Sequence, residues 1–413
     1  MRKKIIVTGA VLLAALFINQ AANARTLEDV LKEKGVITEQ DYMEVTKGKP
    51  IDYKLGKGFT FTSTSQNAEF QLSMGGRLQA RYSFLDKDSG GQDASEWKIR
   101  RMKFWMSGYA YTKDLTYLVQ TELTSSSTNK FIEHAYLDYK IADEAQVLVG
   151  QTKVPFGRQW LNSSGALQFV DRSAVSDFFR PGYDTGMKFH GKVAQGLVNY
   201  DLGWYGGKGQ GVVTTDNNNA LGFRVTIDPL GNMAYGEADL TDTAQPLVSF
   251  GFNYFYDVLS KTGNTTMVTN NLNIGLISSI TNSNNFDTAE KVDLKLAGFD
   301  AAIKWRGFFG LGEYFVGRAQ GVNSDGDIRA RGYLAQAGYC IIPKTLEVAV
   351  RYGYIDPNKD KSDDLRKEVG AAVSYYIFAH NLKVQADGSK IHDDASQTNK
   401  DEKQFRIQAQ VIF

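Results

Sequence analysis

The chain of 413 residues has a single cysteine, Cys340, and only seven prolines. Beyond its N-terminus it has no apolar run approaching the roughly 18 residues that a membrane helix requires. One cysteine excludes an intramolecular disulfide framework, a CxxC redox pair and the CxxCH attachment of haem. The missing run, with a mean hydropathy of −0.32, excludes a bundle of membrane-spanning helices. A strong net charge is lacking too, since the formal value is +1, and nothing in that balance points to a nucleic-acid partner. The four histidines, His134, His190, His380 and His392, stand on separate segments without metal-ligand spacing. No serine, histidine and acid set suggests catalysis, so the reading is a non-enzyme with no cofactor, no metal and no catalytic residue.

What the N-terminus does have is a secretory pattern. Arg2, Lys3 and Lys4 precede a mostly apolar stretch from Ile5 to Ile18, and Ala22-Asn23-Ala24 offers a cleavage site, so residues 1–24 read as a signal peptide. Without its three basic residues the chain has 44 basic against 46 acidic residues, a formal charge of −2. Residues 25–58 read as a periplasmic helical hairpin and linker. Gly35 is the stop of a first helix, Thr38 with Asp41 the cap of a second, and Pro50 with its neighbouring glycines the passage into the next domain.

From residue 59 to 413 the dominant signal is period two. Phe70, Leu72, Met74, Leu78, Ala80, Tyr82 and Phe84 fall on one face of a strand, and Gln71, Ser73, Arg77, Gln79, Arg81 and Ser83 on the other. The last nine residues repeat it, with Phe405, Ile407, Ala409, Val411 and Phe413 opposite Arg406, Gln408 and Gln410. Forty glycines, 21 tyrosines and 24 phenylalanines suit many strands, tight turns and aromatic girdles. Sixteen strands can be placed between residues 68 and 413, with long and short connections alternating. The fold class expected is therefore all-β, an antiparallel transmembrane β-barrel of sixteen strands. Two stretches fit poorly. Pro229 to Gln245 is long for a short turn, and Val258 to Glu290 has room for a further hairpin.

Five strings identify a family: GGRLQARY from Gly75, IRRMKFWMSGYA from Ile99, FIEHAYLDYK from Phe131, GQTKVPFGRQWLNSS from Gly150 and DRSAVSDFFRPGYDTGMKFHG from Asp171. In this order they resemble the phosphate-selective porin O and P family. The terminal aromatic strand likewise resembles those that end bacterial outer-membrane barrels. The resemblance implies a homotrimer of channels in outer-membrane lipid and lipopolysaccharide, with small anions as solutes. It also implies a third long loop, here Val154 to Asp184, folded into the barrel as the constriction.

Parity assigns the lumen side of each strand. Arg77, Arg81, Arg101 and Lys103 point inward on the first two strands, and Lys188, Lys192 and Arg224 further on, with Arg351, Lys383 and Arg406 near the end. Five acids share that face: Glu122, Asp138, Asp201, Glu347 and Asp387. Arg158 and Arg172 belong to the constriction loop. Arg100 falls on the lipid face unless a bulge intervenes. The basic excess favours anions weakly. The other reading open at this point is a barrel that serves as a scaffold for a surface complex. GGKGQG, from Gly206, lacks the following serine or threonine of a phosphate loop.

Overall fold

A computed structural model describes residues 31–38, 41, 51–64, 68–87, 93–125, 130–213, 217–262, 266–267, 272–281, 283, 285–396 and 400–413. The chain divides into two compact units, Met1–Pro50 and Ile51–Phe413. In the first, the Thr38 hydroxyl accepts from the Asp41 N–H at 3.1 Å while the Asp41 carboxylate accepts from the Thr38 N–H at 3.0 Å, a reciprocal helix cap. Gly35, at φ 67°, supplies the left-handed residue after the preceding turn. The expected signal peptide and most of the helical hairpin lie outside the described residues.

The second unit is one antiparallel sheet of strands β1 (Ile51–Lys54), β2 (Gly58–Thr64), β3 (Glu69–Lys87), β4 (Ala94–Glu122), β5 (Ile132–Ala142), β6 (Ala145–Lys153), β7 (Tyr183–Val193), β8 (Val198–Tyr205) and β9 (Ala220–Ile227). It continues through β10 (Leu247–Thr262), β11 (Thr266–Met267), β12 (Ala289–Trp305), β13 (Phe308–Gly321), β14 (Asp327–Ile342), β15 (Leu346–Asp356), β16 (Arg366–Phe378), β17 (Leu382–Asp393) and β18 (Asp401–Ile412). Pairing of β18 with β3, from Glu402↔Lys87 to Ile412↔Arg77, closes it and leaves the ring no edge. β4 reverses after Tyr111, which has φ 67°. Its first half pairs with β3, its second with β5, and the Leu123 N–H donates to the Met102 carbonyl at 2.7 Å between the halves. Counting β4 twice and leaving β1, β2 and β11 off the ring gives the sixteen expected strands among the described residues.

Two expectations need correction. The linker expected to run to residue 58 instead folds as the β1–β2 hairpin, turning on Gly56 at φ 76° and continuing the sheet beside the first residues of β3. The further hairpin for which Val258 to Glu290 has room shrinks to β11, two residues paired antiparallel with Lys261 and Thr262 at the end of β10. β10 and β12 lengthen into this stretch, and Gly275–Thr281 forms a helix that buries Leu276 and Ile280 one turn apart.

The barrel is inverted relative to a soluble sandwich. Apolar side chains such as Phe250, Phe299 and Val350 are more than half exposed on the outside, whereas Ser249, Asn253 and Gln385 are buried on the inside. The lumen wall is itself divided. On β10, β12, β13 and β14 it carries Phe255, Leu259, Leu294, Leu296, Phe309, Phe315 and Leu334, which form one cluster with Val154, Phe156, Val175 and Phe179 of the connection between β6 and β7. Each large loop side chain so buried contributes roughly 1.5–3 kcal/mol. The long connection therefore lies inside, against the apolar half, as the resemblance implies, and leaves the basic half of β3 to β8 to line the remaining space.

Arginine at Val350, midway along β15 and facing outward, should lower stability in lipid vesicles by about 2–4 kcal/mol, measured by urea unfolding. An unchanged midpoint would mean that this face does not meet hydrocarbon.

Candidate functional site

The loop between β6 and β7 holds two short helices, α1 (Arg158–Leu161) and α2 (Ala174–Phe179). Gly157, at φ 72°, sets the entry to α1, where a Cβ would stand 3.2 Å from the Phe315 ring. Ser173 caps α2 by accepting from the Ser176 N–H at 3.0 Å. Gly165 crosses Arg77 so closely that a Cβ would meet its Nη1 at 2.4 Å.

Two ionic devices fix the loop on the basic side. Asp171 accepts from Arg81 at 2.6 Å and from Arg101 at 2.8 Å, with Arg100 at 3.4 Å and Arg406 at 3.6 Å. Burial pushes the Asp171 carboxyl up, but Arg101, Arg100 and Arg81 outweigh it and hold it well below the usual carboxylate range. The second device is Lys153. Its ammonium donates to the carbonyls of Trp160, Leu161 and Asn162 at 2.7, 3.2 and 3.1 Å, the open C-terminal end of α1. Arg172 donates to the carbonyls of Gln159, Trp160 and Asn162. Burial, then Arg180 and Arg101, lower its guanidinium to about 10. Lys153, Arg172 and Arg180 all lie over the Trp160 ring, 4.3–4.8 Å from its centroid.

The open space runs through three adjoining cavities. The first, of 450 Å³ at the end with the long connections, has Lys98, Arg100, Arg101, Arg172, Arg180 and Lys130 on its wall. It shares Lys103, Ser164 and Tyr183 with a central cavity of 350 Å³. The centre in turn shares Asp201 and Tyr235 with a third cavity of 490 Å³ at the end with the short turns, where Lys192 and Arg158 lie. A larger hollow of 840 Å³, lined by Val350, Tyr352, Val369, Ala371 and Gly388 of the outer wall, opens away from this path.

Tyr235 comes from the connection between β9 and β10, which turns back into the barrel. The Gly236 N–H donates to the Asn162 side chain at 2.8 Å, and the Glu237 N–H to the Ala166 carbonyl at 2.8 Å. That explains why Pro229 to Gln245 is long for a turn. GGKGQG folds inward as well. Its Gly207 N–H is occupied by Asp184 at 2.8 Å and its Gly211 N–H by Gln151 at 3.1 Å, so neither amide is free for a phosphate.

Several expected site residues fare differently. Arg77, 5 % exposed, donates to the hydroxyls of Ser163 and Ser164 at 3.1 and 2.7 Å and faces the central cavity. Lys188 lies there too, paired with Asp201 at 2.8 Å. Lys103 is bound by Glu133, and Arg101 by Asp171, acids supplied by β5 and by the loop. Arg81 is sealed between Asp171 and Gln408. Arg158, 1 % exposed, bonds Ser249 and the Met233 carbonyl. Arg224 is not a lining residue. It is buried in a bidentate pair with Asp300 at 2.6 and 2.9 Å, and its Nε donates to the Tyr235 hydroxyl at 3.1 Å, so the connection between β9 and β10 covers it. Arg100 is also corrected. The register passes from Gln79↔Arg101 to Ala80↔Ile99, and this bulge brings Arg100 from the expected lipid face to Asp171. Lys153, Asp171, Trp160 and Tyr235 escaped sequence reasoning as site residues. The strings around the first three were visible, but their roles require the loop to be folded inside.

A closed barrel, apolar outside, with a polar path narrowed by inward-folded connections, defines an outer-membrane channel of the porin class. The match is to the family described as Phosphate-selective porin O and P, over residues 72–413, and the chain belongs to that family. Porin O of Pseudomonas aeruginosa is 26 % identical over 371 residues, covering 83 % of this chain and 79 % of its own. An uncharacterized protein of Aquifex aeolicus is 25 % identical over 450 residues, with both chains fully covered. Among solved structures, an anion-selective porin from Comamonas acidovorans aligns with a TM-score of 0.55 at 12 % identity, over 84 % of this chain and 100 % of that one, a likeness of fold. The protein is thus a channel of the bacterial outer membrane, and in barrels of this kind the end with the longer loops faces the exterior.

Asp171→Asn should cost about 3–5 kcal/mol, since it leaves buried guanidinium groups without their carboxylate. Loosening of the loop should appear as added open-channel noise in single-channel recordings. The sign for pH follows from the depressed carboxyl. This anchor is fully present above the ordinary carboxylate value of about 3.9 and is lost only as pH falls through the lower folded value, so open-channel noise from this loop should not increase between pH 7 and 5. Tyr235→Ala should raise single-channel conductance by widening the junction of the central and periplasmic cavities, with Arg224 still held by Asp300. An equal conductance would place the narrowest point at the outer loop.

Proposed function

We propose that the channel passes small hydrophilic solutes by passive diffusion, with a weak preference for anions, phosphate-like oxyanions among them. The observation that carries this reading is the central cavity, where Arg77, Lys103, Lys153 and Lys188 meet two carboxylates, Glu133 on Lys103 and Asp201 on Lys188. Arg77 and Lys153 matter most. Hydroxyl and carbonyl oxygens accept from both Arg77 Nη atoms and from the Lys153 ammonium without cancelling the charge. In a confined aqueous path between low-dielectric walls such charges keep their field, and hydroxyl donors beside them suit an oxyanion. The periplasmic cavity is balanced instead, Arg158 and Lys192 meeting Asp201 and Asp228. Preference is therefore set at the centre and above it. The working unit in this reading is a homotrimer, as family membership supports.

Reversal potentials across a planar bilayer under a salt gradient test the proposal. Wild-type protein should favour the anion. Arg77→Gln should move the potential toward the cation, with a larger change at 0.01 M salt, where the Debye length is about 30 Å, than at 1 M, where it is about 3 Å. Absence of conductance steps would favour the scaffold reading, and an unchanged potential in Arg77→Gln would remove the central cavity as the filter.

A further inference from the structure

Two strands share one edge of β3. The rungs from Lys87 to Arg77 pair with β18, and those from Met74 to Glu69 pair with β2. Both partners run antiparallel to β3, so β2 continues the line of β18, and the two meet end to end. Phe413 exchanges backbone hydrogen bonds with Gly76 at 2.8 and 3.0 Å, while Gly58 lies against Met74 and Gly75 just beyond. The junction has room only for glycine. A Cβ on Gly75 would stand 2.8 Å from the Phe413 carbonyl oxygen, one on Gly76 2.7 Å from the Phe413 ring, and one on Gly58 1.9 Å from the Met74 carbonyl oxygen. The hairpin also reaches the other side of the seam. Gly56 abuts Asn381 of the turn between β16 and β17, and the Asn381 carbonyl accepts from the Ile412 N–H at 2.7 Å.

Closure of the barrel has a register to choose, and the pattern of β18 does not choose it. Phe405, Ile407, Ala409, Val411 and Phe413 alternate with polar residues, so a slip by two keeps the same side chains toward lipid. β18 also arrives from far away, Gln410 meeting Gln79 across 331 positions, whereas β2 directly precedes β3 and pairs with it at a low cost in loop closure. We propose that the β1–β2 hairpin is a register stop for barrel closure, holding the edge of β3 beyond Gly76 so that the last strand ends at Phe413. A slip of β18 by two residues toward the short-turn end would drive Phe413 onto Met74, the rung that Phe59 already holds. A slip the other way would forfeit the Phe413 bonds to Gly76 and leave that edge bare. The stop, at residues 51–64, lies outside the family match, which begins at residue 72.

The test is disulfide trapping in outer membranes of cells that produce the full chain. Ala80→Cys with Ala409→Cys, directly opposed on the outward face, reports the observed register. Leu78→Cys with Ala409→Cys reports the slip by two, because in the observed register this pair is diagonal and too widely separated for a disulfide. With the hairpin intact, only the first pair should crosslink. Gly58→Val sets a branched side chain against the Met74 carbonyl and undocks β2, so the second pair should gain a crosslinked fraction at the expense of the first. Deletion of residues 51–64 should have the same effect by removing the stop outright. Complete crosslinking of the first pair and none of the second, in both variants, would overturn the proposal. So would loss of the folded barrel in both, which would make the hairpin a requirement for folding and not for register.

Discussion

An apolar contact made inside a polar barrel holds the channel in its working form. Lipid outside requires the outward faces of the strands to be apolar, and water inside would ordinarily make the inward faces polar throughout. Here the inward faces of β10 and β12 to β14 break that rule with a wall of leucine and phenylalanine. Val154, Phe156, Val175 and Phe179 cover it. Because the wall occupies only one side, the loop it attracts lies to that side of the lumen and leaves an eccentric path along β3 to β8. Position, width and lining of that path all follow.

Charge then divides between fastening and conduction. Arg81 and Arg101 share Asp171, while Lys103 is held by Glu133 and Arg224 by Asp300, so acids offset much of the field of these cations. Lys153 and Arg172 fasten the loop through backbone carbonyls, and Arg77 through serine hydroxyls. Those neutral acceptors meet the need of a buried donor for hydrogen bonds and leave the positive charge uncompensated. Fastening and field are thus obtained from the same side chains. A ring of free arginines in this space would repel itself, whereas cations seated on dipoles tolerate one another.

The connection carrying Tyr235 approaches the loop from the periplasmic side. Glu237 links the two, its side chain accepting from the Gln159 side chain at 3.0 Å and the Gln168 N–H at 2.8 Å. Gln336 on the wall donates to the same carboxylate at 2.8 Å. The loop is therefore restrained from below as well as from behind. A network in which each buried polar atom has several partners favours one arrangement over many.

Most of the barrel was legible in the residues. Period-two alternation from Phe70 to Phe84 and from Phe405 to Phe413 follows from lipid on one face and water on the other, a constraint that acts on each strand alone and so is written locally. The sixteen strands and the long connection at Val154 to Asp184 could be read for that reason. Arg100 could not be placed, since a bulge is decided by how two strands align and not by either strand. Nor could the partners of Lys103 and Arg101 be named, because Glu133 and Asp171 come from 30 and 70 residues away. Arg224 has the same parity as a lining residue, yet Tyr235 from the connection between β9 and β10 covers it. Local patterning determines which way a side chain points, and long-range packing determines what meets it there, so the barrel could be read from the sequence while the lining of its path required the folded chain.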